Sequence, residues 1–458
     1  MSASKFSVLR DPVHGDVYLT HEELAVLDTR EMQRLRGIKQ LGTAYLAYPG
    51  ALHTRFDHSI GVLHVTGGMI QAINRNFELD PRQCLSVGER EARIVRMAAL
   101  VHDVTHIPFG HNIEDQTGLF HRHDSAYRFE LMLATSTELG AKLEELGLRE
   151  DVLAILLGPG SGKDFPPYWS QIMSDTICSD ILDYLSRDAY FTGLRLGVDS
   201  RVQNYFRIDR RSGNLFIDLA KRELLREDIL SEIVRLLEAR YYFSERVYYH
   251  HAKVAAGALI ARAVELAVAN DLVTEREFYD CTDASLVDLL ERKAGNAAPE
   301  VSRRIRSLLD RFRRRRLLKR ACVFPRHANQ DAQPELVARF FAPGSHRTRL
   351  EVEARIGERV RRATGSEIEV VLTCPAADMQ LKEAQTHVRW PGEEEPSPLA
   401  RFAERVPRLA DLERSYRDLW KFYVFADVSE PALLRRIQEV AVEEIGIGRN
   451  VYRIDNAK

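Results

Sequence analysis

Cysteine is scarce in this sequence, and its few occurrences have no regular spacing. Among 458 residues there are five cysteines, an odd number without a CxxC pair: Cys84, Cys178, Cys281, Cys322 and Cys374. This pattern excludes a disulfide framework and a cysteine-based zinc knuckle, and it favours a reducing compartment.

Two further absences narrow the class of protein. No apolar run approaches the roughly 18 residues of a membrane-spanning helix, and the N-terminal sequence MSASKFSVLRDPVHGD has no apolar signal-peptide core. Basic and acidic residues nearly balance, at 65 against 67, so no overall field marks a binder of nucleic acid or membranes. We therefore expect a cytoplasmic protein, without membrane contact, that binds anions through local clusters.

The apolar spacing is helical over most of residues 22–268. Apolar residues at intervals of three and four predict an amphipathic helix over 91–102, with His102 and Asp103 at its C-terminal end. A second predicted helix, over 177–191, carries three side chains four residues apart, which places them on one face: Asp180, Tyr184 and Asp188.

Strand signals are sparse and mostly late in the chain. Residues 214–219 (NLFIDL) are predicted to pair with 202–208, and the β-branched and aromatic segments 367–372 and 422–426 are predicted strands, with 390–398 as a loop between them. Because 458 residues exceed one average domain, we predict a mainly α fold with two parts. They are a helical domain over residues 1–330 and a smaller α+β lobe over 331–458.

Histidine and aspartate are concentrated in four clusters within the first 190 residues: TRFDHS (54–59), VHDVTHIPFGHNIED (101–115), HRHDS (121–125) and SDILDYLSRD (179–188). A single histidine near a helix end is usually a core or capping residue, but the clusters together indicate a metal site. Two imidazoles and two carboxylates form a ligand set suited to Mn, Fe, Ni, Zn or Mg with open positions for water. The predicted ligands are His58, His102, Asp103 and Asp180.

The order of a histidine, about forty residues, a His-Asp pair and a distant aspartate resembles the HD superfamily of metal phosphohydrolases. Segments 28–62, 98–115, 180–193 and 239–253 resemble one branch of it, the deoxynucleoside triphosphate (dNTP) triphosphohydrolases, and the QRLR…QLG stretch before RFDHS is specific to that branch. The resemblance covers roughly residues 6–320. It implies an HD-domain helical core and the same four metal ligands.

The resemblance also implies catalytic roles. His106 and Glu114 would act as a pair near the attacking water, although the family more often has aspartate at the Glu114 position. His123 would be the general acid for the leaving 5′-oxygen, and His121, two residues away, is a rival that the sequence does not exclude. Ile181 stands where some members have a lysine, so phosphate charge would be met by arginines, by Lys253 or by Mg²⁺ bound with the nucleotide.

Substrate contacts follow from the same resemblance. Gln40 and Leu41 would touch the sugar, Tyr184 and Asp188 would line it, and Tyr248 would exclude a 2′-hydroxyl. Further predicted substrate-binding residues, for phosphate and its surroundings, are Arg55, His111 and Arg240. Residues matching a regulatory nucleotide site in the family are Asp28, Gln33 and Arg36.

The function implied is metal-dependent hydrolysis of dNTPs to deoxynucleoside and inorganic triphosphate by a homo-oligomer, a dimer or tetramer, with a possible nucleotide activator. Two alternatives stay open. One is an HD phosphohydrolase acting on nucleoside monophosphates, cyclic nucleotides or guanosine polyphosphates. The other is an inactive nucleotide sensor or a nucleic-acid binder that uses the basic run 303–320.

Overall fold

The N-terminal part of the chain is a β-hairpin followed by helices. The computed structural model describes residues 6–158, 161–375, 379 and 382–455. Its first elements are β1 (Phe6–Asp11), β2 (Gly15–Thr20), α1 (His21–Leu27), α2 (Arg30–Arg34), α3 (Arg55–Leu79), β3 (Cys84–Leu85), α4 (Glu89–Val101), α5 (His111–Thr117), α6 (Ala126–Met132), α7 (Glu138–Glu145), α8 (Arg149–Leu157), α9 (Tyr168–Met173) and α10 (Ser179–Thr192).

The rest of the chain mixes helices with short strands. The next elements are β4 (Phe206–Asp209), β5 (Leu215–Asp218), β6 (Ala220–Lys221), β7 (Leu224–Leu225), α11 (Glu227–Phe243), α12 (His251–Ala269), α13 (Glu275–Phe278), α14 (Asp283–Ala294) and α15 (Pro299–Arg313). They are followed by β8 (Lys319–Pro325), α16 (Gln333–Phe340), α17 (His346–Thr364), β9 (Val370–Thr373), β10 (His387–Arg389), β11 (Ser397–Pro398), α18 (Pro407–Arg417), β12 (Lys421–Ala426) and α19 (Pro431–Ile445). The predicted mainly α fold is confirmed.

Helix α3 lies at the centre of the first hydrophobic core, against α4 and α10. It is buried on most of its circumference from Arg55 to Ile73, as expected of a helix with apolar residues on all sides. Its start is fixed by a capping box, in which the Thr54 hydroxyl accepts from the Asp57 amide and the Asp57 carboxylate accepts from the Thr54 amide. Asp57 of the RFDHS motif is therefore a cap.

Two sheets carry most of the strand pairing. The first has the order β11-β10-β5-β4-β3. In it the predicted hairpin is found over 206–208 and 215–217, with Phe206 opposite Ile217, whereas 202–205 belong to a short 3₁₀ helix. The second has the order β8-β12-β9 and is antiparallel. One face of the second sheet packs with α16, α17 and α19 around Trp420 in a second core, while its other face, including Tyr423, joins the first core.

The C-terminal elements are divided between the two cores. Strand β8, at Lys319, already belongs to the second sheet, whereas β10 runs parallel to β5 in the first sheet through Val388 and Ile217. Residues 390–396 therefore connect β10 to the edge strand β11 of the first sheet, and the stretch 390–398 is not, as expected, a loop within the lobe. The division after residue 330 stays a prediction.

Buried ion pairs link the two cores. Arg262 on α12 binds Glu353 on α17, and Arg349 on α17 binds Glu265 on α12; all four side chains are less than 5% exposed. Within the described residues, no helix is long and apolar enough to cross a bilayer.

Candidate metal centre and active site

The four predicted metal ligands lie together where α3, α4 and α10 meet. One ligand atom from each of His58, His102 and Asp103 lies within 4.8 Å of the others. Asp180 Oδ1 lies 2.9 Å from His58 Nε2 and 3.8 Å from His102 Nε2. Helix α3 supplies His58, the end of α4 supplies the His-Asp pair, and the first turn of α10 supplies Asp180.

The hydrogen bonding of this cluster fits a cation. His102 uses Nδ1 to donate to the carbonyl of Ala99, 2.8 Å away, while its Nε2 is buried without a hydrogen-bond partner among the described residues. Burial alone would raise the pKa of Asp103, but the Arg55 guanidinium and the neighbouring histidines hold it well below its usual range. An ionised carboxylate beside an unpartnered imidazole nitrogen is what a divalent ion requires.

A second group of histidines adjoins the first. Ring nitrogens of His106, His111 and His123 lie within 4.8 Å of one another, and the rings of His106 and His123 stack with centroids 4.0 Å apart. His106 Nε2 lies 3.2 Å from Asp103 Oδ1, which joins the two groups. His111 Nδ1 lies 3.3 Å from Asp115 Oδ2.

The expected pairing of His106 with Glu114 differs from what the structure shows. Glu114 accepts from Nδ1 of His123 at 3.0 Å and also binds Arg128, because the buried guanidinium of Arg128 needs a buried carboxylate. The partner of His106 is Asp103 instead. Burial and the nearby Arg55 charge lower the pKa of His106.

The structure separates the two rival histidines. His123 belongs to the stacked group, whereas His121 is 53% exposed, lies 2.9 Å from Glu275 and stacks on Tyr127. Of the two, only His123 is placed among the candidate catalytic side chains.

Arg55 is buried between the two histidine groups. Its Nη1 donates to Asp103 Oδ2 at 2.6 Å, and its Nε has no hydrogen-bond partner in the described structure. Gly110, at a φ of +43°, makes this approach possible, since a Cβ there would lie 3.0 Å from Arg55 Nη2 and 3.4 Å from His106 Nδ1.

The predicted sugar-binding residues continue from the metal cluster along α10. The Tyr184 ring centroid lies 6.5 Å from that of His58, and the guanidinium carbon of Arg240 lies 5.4 Å from the Tyr184 ring. The Tyr248 hydroxyl donates to Asp188 at 3.0 Å. Leu41 is buried in the first core. The Gln40 side-chain oxygen and the Tyr184 hydroxyl are buried without a hydrogen-bond partner among the residues described.

A cleft borders this region. It reaches from helices α5 and α12 to strands β9 and β12, and its lining includes His111, Tyr248, Tyr249, Lys253 and Tyr423. Burial lowers the pKa of Lys253 to about 8, although Asp115 and Asp188 act in the opposite direction. The cleft therefore combines aromatic surface with an amine of lowered basicity.

Several side chains around the site were missed by the sequence interpretation. Arg128 binds Glu114, and Glu275 in turn binds Arg128. Asp183 binds His58, and Arg187 and His14 in turn bind Asp183. The spacing of Asp183 and Arg187, four residues apart on a helix already identified, was a usable signal for an ion pair. For His53 the sequence contains no such signal. Its Nε2 lies 2.7 Å from Asp188 Oδ1, although the two residues are 135 positions apart in the chain.

The predicted regulatory residues lie near the surface, away from these contacts. Asp28 and Arg36 are exposed, Arg36 donates to the Gln33 side chain at 2.8 Å, and its guanidinium lies 3.6 Å from the Phe56 ring centroid. Many arginines of the basic run 303–320 pair with carboxylates within the chain, for example Arg304 with Glu369. This pairing weakens the nucleic-acid alternative.

A histidine, a His-Asp pair and a distant aspartate come together in the metal cluster, and this arrangement defines an HD-type centre. Comparison with protein families gives the same assignment. Residues 55–188 match the HD domain, and residues 220–453 match the HD associated region. The chain therefore belongs to the family of HD-domain proteins that carry this associated region, and the resemblance inferred from the sequence is confirmed.

Curated relatives include a deoxynucleoside triphosphate triphosphohydrolase SAMHD1 homolog of Dictyostelium discoideum, 29% identical over 69% of this chain and 60% of its own. Human SAMHD1, also named a deoxynucleoside triphosphate triphosphohydrolase, is 30% identical over 46% of this chain and 39% of its own. The uncharacterized protein MJ1154 of Methanocaldococcus jannaschii is 29% identical over 65% of this chain and 58% of its own. This chain thus spans three fifths or less of these relatives.

A solved structure shares the fold. The crystal structure of a hypothetical protein from Aquifex aeolicus has a TM-score of 0.65, covers 96% of this chain and 100% of its own, and is 22% identical. At this identity the likeness shows the fold alone.

Proposed function

We propose that this protein hydrolyses dNTPs to deoxynucleoside and inorganic triphosphate. Water adds to the α-phosphorus, the bond from that phosphorus to the 5′-oxygen breaks, and the 5′-oxygen receives a proton. Relatives from Dictyostelium discoideum and human carry the name of this activity. The whole stretch from the metal cluster to the aromatic cleft matches the parts of such a substrate in order: phosphate, sugar and base.

The observation that carries the proposal is a set of buried polar atoms, on predicted site residues, that have no hydrogen-bond partner among the described residues. They are Gln40 Oε1, Arg55 Nε, His102 Nε2, His106 Nδ1 and the Tyr184 hydroxyl. A buried polar atom without a partner costs about 1–3 kcal/mol, so several together indicate atoms that a ligand satisfies. Phosphate oxygens, sugar hydroxyls and a cation supply complementary groups.

His58, His102, Asp103 and Asp180 are the residues that would hold a divalent ion. Such an ion would supply positive charge to the phosphate and acidify a bound water. Arg55, fixed by Asp103, is placed to hold phosphate oxygens. His123, whose Nδ1 donates to Glu114, retains Nε2 for the proton that the leaving 5′-oxygen takes up. His106 lies between Asp103 and His123 and orders the reacting water.

The sugar end favours a deoxyribose. Asp188 is fixed on one oxygen by His53 and on the other by Tyr248, and a carboxylate oxygen can accept a further bond from a 3′-hydroxyl. Tyr248 is held there by its bond to Asp188, and Leu41 is the second side chain that the family resemblance assigns to this end of the sugar. A 2′-hydroxyl enclosed by these two side chains would meet hydrocarbon and lose its water. The base would occupy the cleft lined by Tyr248 and Tyr249.

We also propose regulation by a nucleotide in an oligomer. A cleft lined by Arg311, Arg315, Arg316 and Lys319 lies at the start of α19 and offers charge for a polyphosphate. Arg315 donates to the Leu46 carbonyl at 2.5 Å, which connects this cleft to the segment between α2 and α3. Arg36 lies in that segment, and Gln33 lies in α2.

The test is turnover of the four dNTPs, singly and in pairs, with Mn²⁺ or Mg²⁺, with products separated by chromatography. Deoxynucleoside and triphosphate are expected, and His102→Ala and Asp103→Ala abolish their release. Deoxynucleoside monophosphate as the product would contradict triphosphohydrolysis and favour another HD phosphohydrolase. Nucleotide binding that survives both substitutions, with no turnover by the parent under any pair, would favour a sensor.

His123→Ala and His121→Ala form a matched pair for the general acid. His123→Ala is expected to lower kcat for the dNTP about 10²–10⁴-fold, the usual contribution of a general acid. His121→Ala is expected to change kcat by less than about threefold, since His121 is exposed and only its surface contact with Glu275 is lost. Equal losses in the two variants would contradict the assignment.

A further inference from the structure

The N-terminal hairpin reaches the candidate metal ligand His58 through one buried carboxylate. Asp183 is fully buried, and its Oδ2 accepts from His58 Nδ1 at 2.7 Å. Its Oδ1 accepts from Nε2 of His14, in the turn between β1 and β2, at 2.6 Å. Arg187, one turn further along α10, donates to both oxygens at 2.9 Å. All four bonds converge on Asp183.

The same arginine fixes the hairpin turn. Arg187 Nη1 donates to Asp11 Oδ2 at 2.7 Å, and Asp11 Oδ1 accepts from the amides of Val13 and His14 at 2.9 and 2.8 Å. The His14 ring also stacks on His64 of α3, with centroids 5.0 Å apart. The position of His14 is thus set by three separate contacts.

Gly61 of helix α3 leaves room for the side chains of Asp183 and Arg187. A Cβ on Gly61 would lie 1.9 Å from Asp183 Oδ1 and 2.2 Å from Arg187 Nη2. Glycine is therefore required where the carboxylate and the guanidinium press against α3, three residues beyond His58.

We propose that Asp183 and His14 are positioning residues for the metal site, so that Asp11 and the hairpin turn 12–14 form part of the support of His58. The inference rests on the metal centre of the proposed function. By accepting from Nδ1, Asp183 fixes the ring orientation of His58 and directs Nε2 to the side where His102 and Asp103 lie. His102 has only a backbone carbonyl, that of Ala99, in the equivalent role. The hairpin therefore acts on one of the two imidazoles and not on the other.

Mn²⁺ affinity is the direct test, measured on the full chain by electron paramagnetic resonance of the free ion. Loss of a partner behind a metal ligand typically weakens metal binding 10–100-fold. We expect about tenfold weaker binding for His14→Ala and a larger loss for Asp183→Asn. His14→Gln, whose amide can donate to the same oxygen, is expected to lie within about threefold of the parent. Val8→Ala, on the exposed face of the same hairpin, is the matched control and should leave the affinity unchanged.

The outcomes are distinct. His14→Ala that binds Mn²⁺ within twofold of the parent would overturn the proposal, as would a parent that binds no Mn²⁺ or a loss that His14→Gln does not rescue. Circular dichroism and urea midpoints of the metal-free proteins identify a variant that fails to fold. If Asp183→Asn fails to fold, the comparison of His14→Ala with His14→Gln decides the test. Normal Mn²⁺ binding and the expected ranking without dNTP turnover would defeat the proposed function and leave this inference standing.

Discussion

Arg128→Met tests whether the ion pair behind His123 holds this side of the site together. The Arg128 side chain is fully buried, binds Glu114 and lies 3.2 Å from Glu275. Methionine has a similar length but no charge, so Glu114 would stay buried with its bond to His123. Removing one partner of a buried pair costs about 3–5 kcal/mol, because the other charge is left uncompensated. We expect the free energy of unfolding at neutral pH to fall by that amount.

The effect of pH has a definite sign. Burial tends to raise the pKa of Glu114, but His123 and Arg128 bring it well below its ordinary 4.5. A carboxylate whose pKa is lowered on folding stabilises the protein above the unfolded pKa, and this contribution is lost as pH falls through the folded pKa. The difference between parent and Arg128→Met should therefore be full above about pH 4.5 and shrink in acid.

Urea unfolding followed by tryptophan fluorescence measures both effects. Arg122→Met is the matched control, since this arginine is 57% exposed and pairs with Asp115 and Asp124; its loss should cost less than about 1 kcal/mol. Adding Glu114→Gln to Arg128→Met removes the buried, uncompensated carboxylate charge and should recover part of the lost free energy of unfolding. A loss below about 1 kcal/mol in Arg128→Met, or a double variant no more stable than the single one, would refute the reasoning.

Three further predictions concern the fold around the site. Gly61→Ala should lower the free energy of unfolding by about 1–3 kcal/mol through overpacking against Asp183, and an unchanged urea midpoint would contradict this. Because the pKa of Lys253 is about 8 in the folded protein and about 10.5 in the unfolded chain, the unfolded chain binds more protons between these values and stability should rise with pH there. Lys253→Met should reduce that rise, and equal slopes from pH 8 to 10 would count against it. Arg262→Met should cost about 3–5 kcal/mol, because it leaves the buried carboxylates of Glu265 and Glu353 to share Arg349. Urea unfolding measures this loss, with exposed Arg347→Met as control, and equal midpoints would disprove it.

Periodicity predicted the elements that carry the chemistry. Apolar spacing predicts the helix that ends at His102, and intervals of four place Asp180, Tyr184 and Asp188 on α10. These predictions succeed because a helix relates residues that are near in sequence. The meeting of His58 with Asp180, 122 residues apart, rests on tertiary packing, and there the family resemblance supplied what spacing did not.

The wrong prediction of a His106–Glu114 contact and the missed role of His14 also depend on tertiary packing. Glu114 is eight residues from His106, and a turn between them was compatible with contact. Glu114 binds His123 and Arg128 instead, and Arg128, fourteen residues after Glu114, gives no spacing signal toward it. The role of His14, 169 residues from Asp183, was likewise invisible in the sequence. Local patterns predict which helix carries a side chain, but the partner of a buried charge is set by the packing of distant segments.

The parallel pairing of β10 with β5 limits how this chain can be shortened. A fragment ending near residue 330 would keep every candidate metal ligand, yet it would lose β10 and leave the backbone of β5 unpaired along one edge. Open strand edges invite association with other chains. The stacked rings of Trp390 and Phe402 would go as well, uncovering apolar surface of the first core. Expression of the helical domain by itself would thus yield aggregates unless another polypeptide replaced that strand.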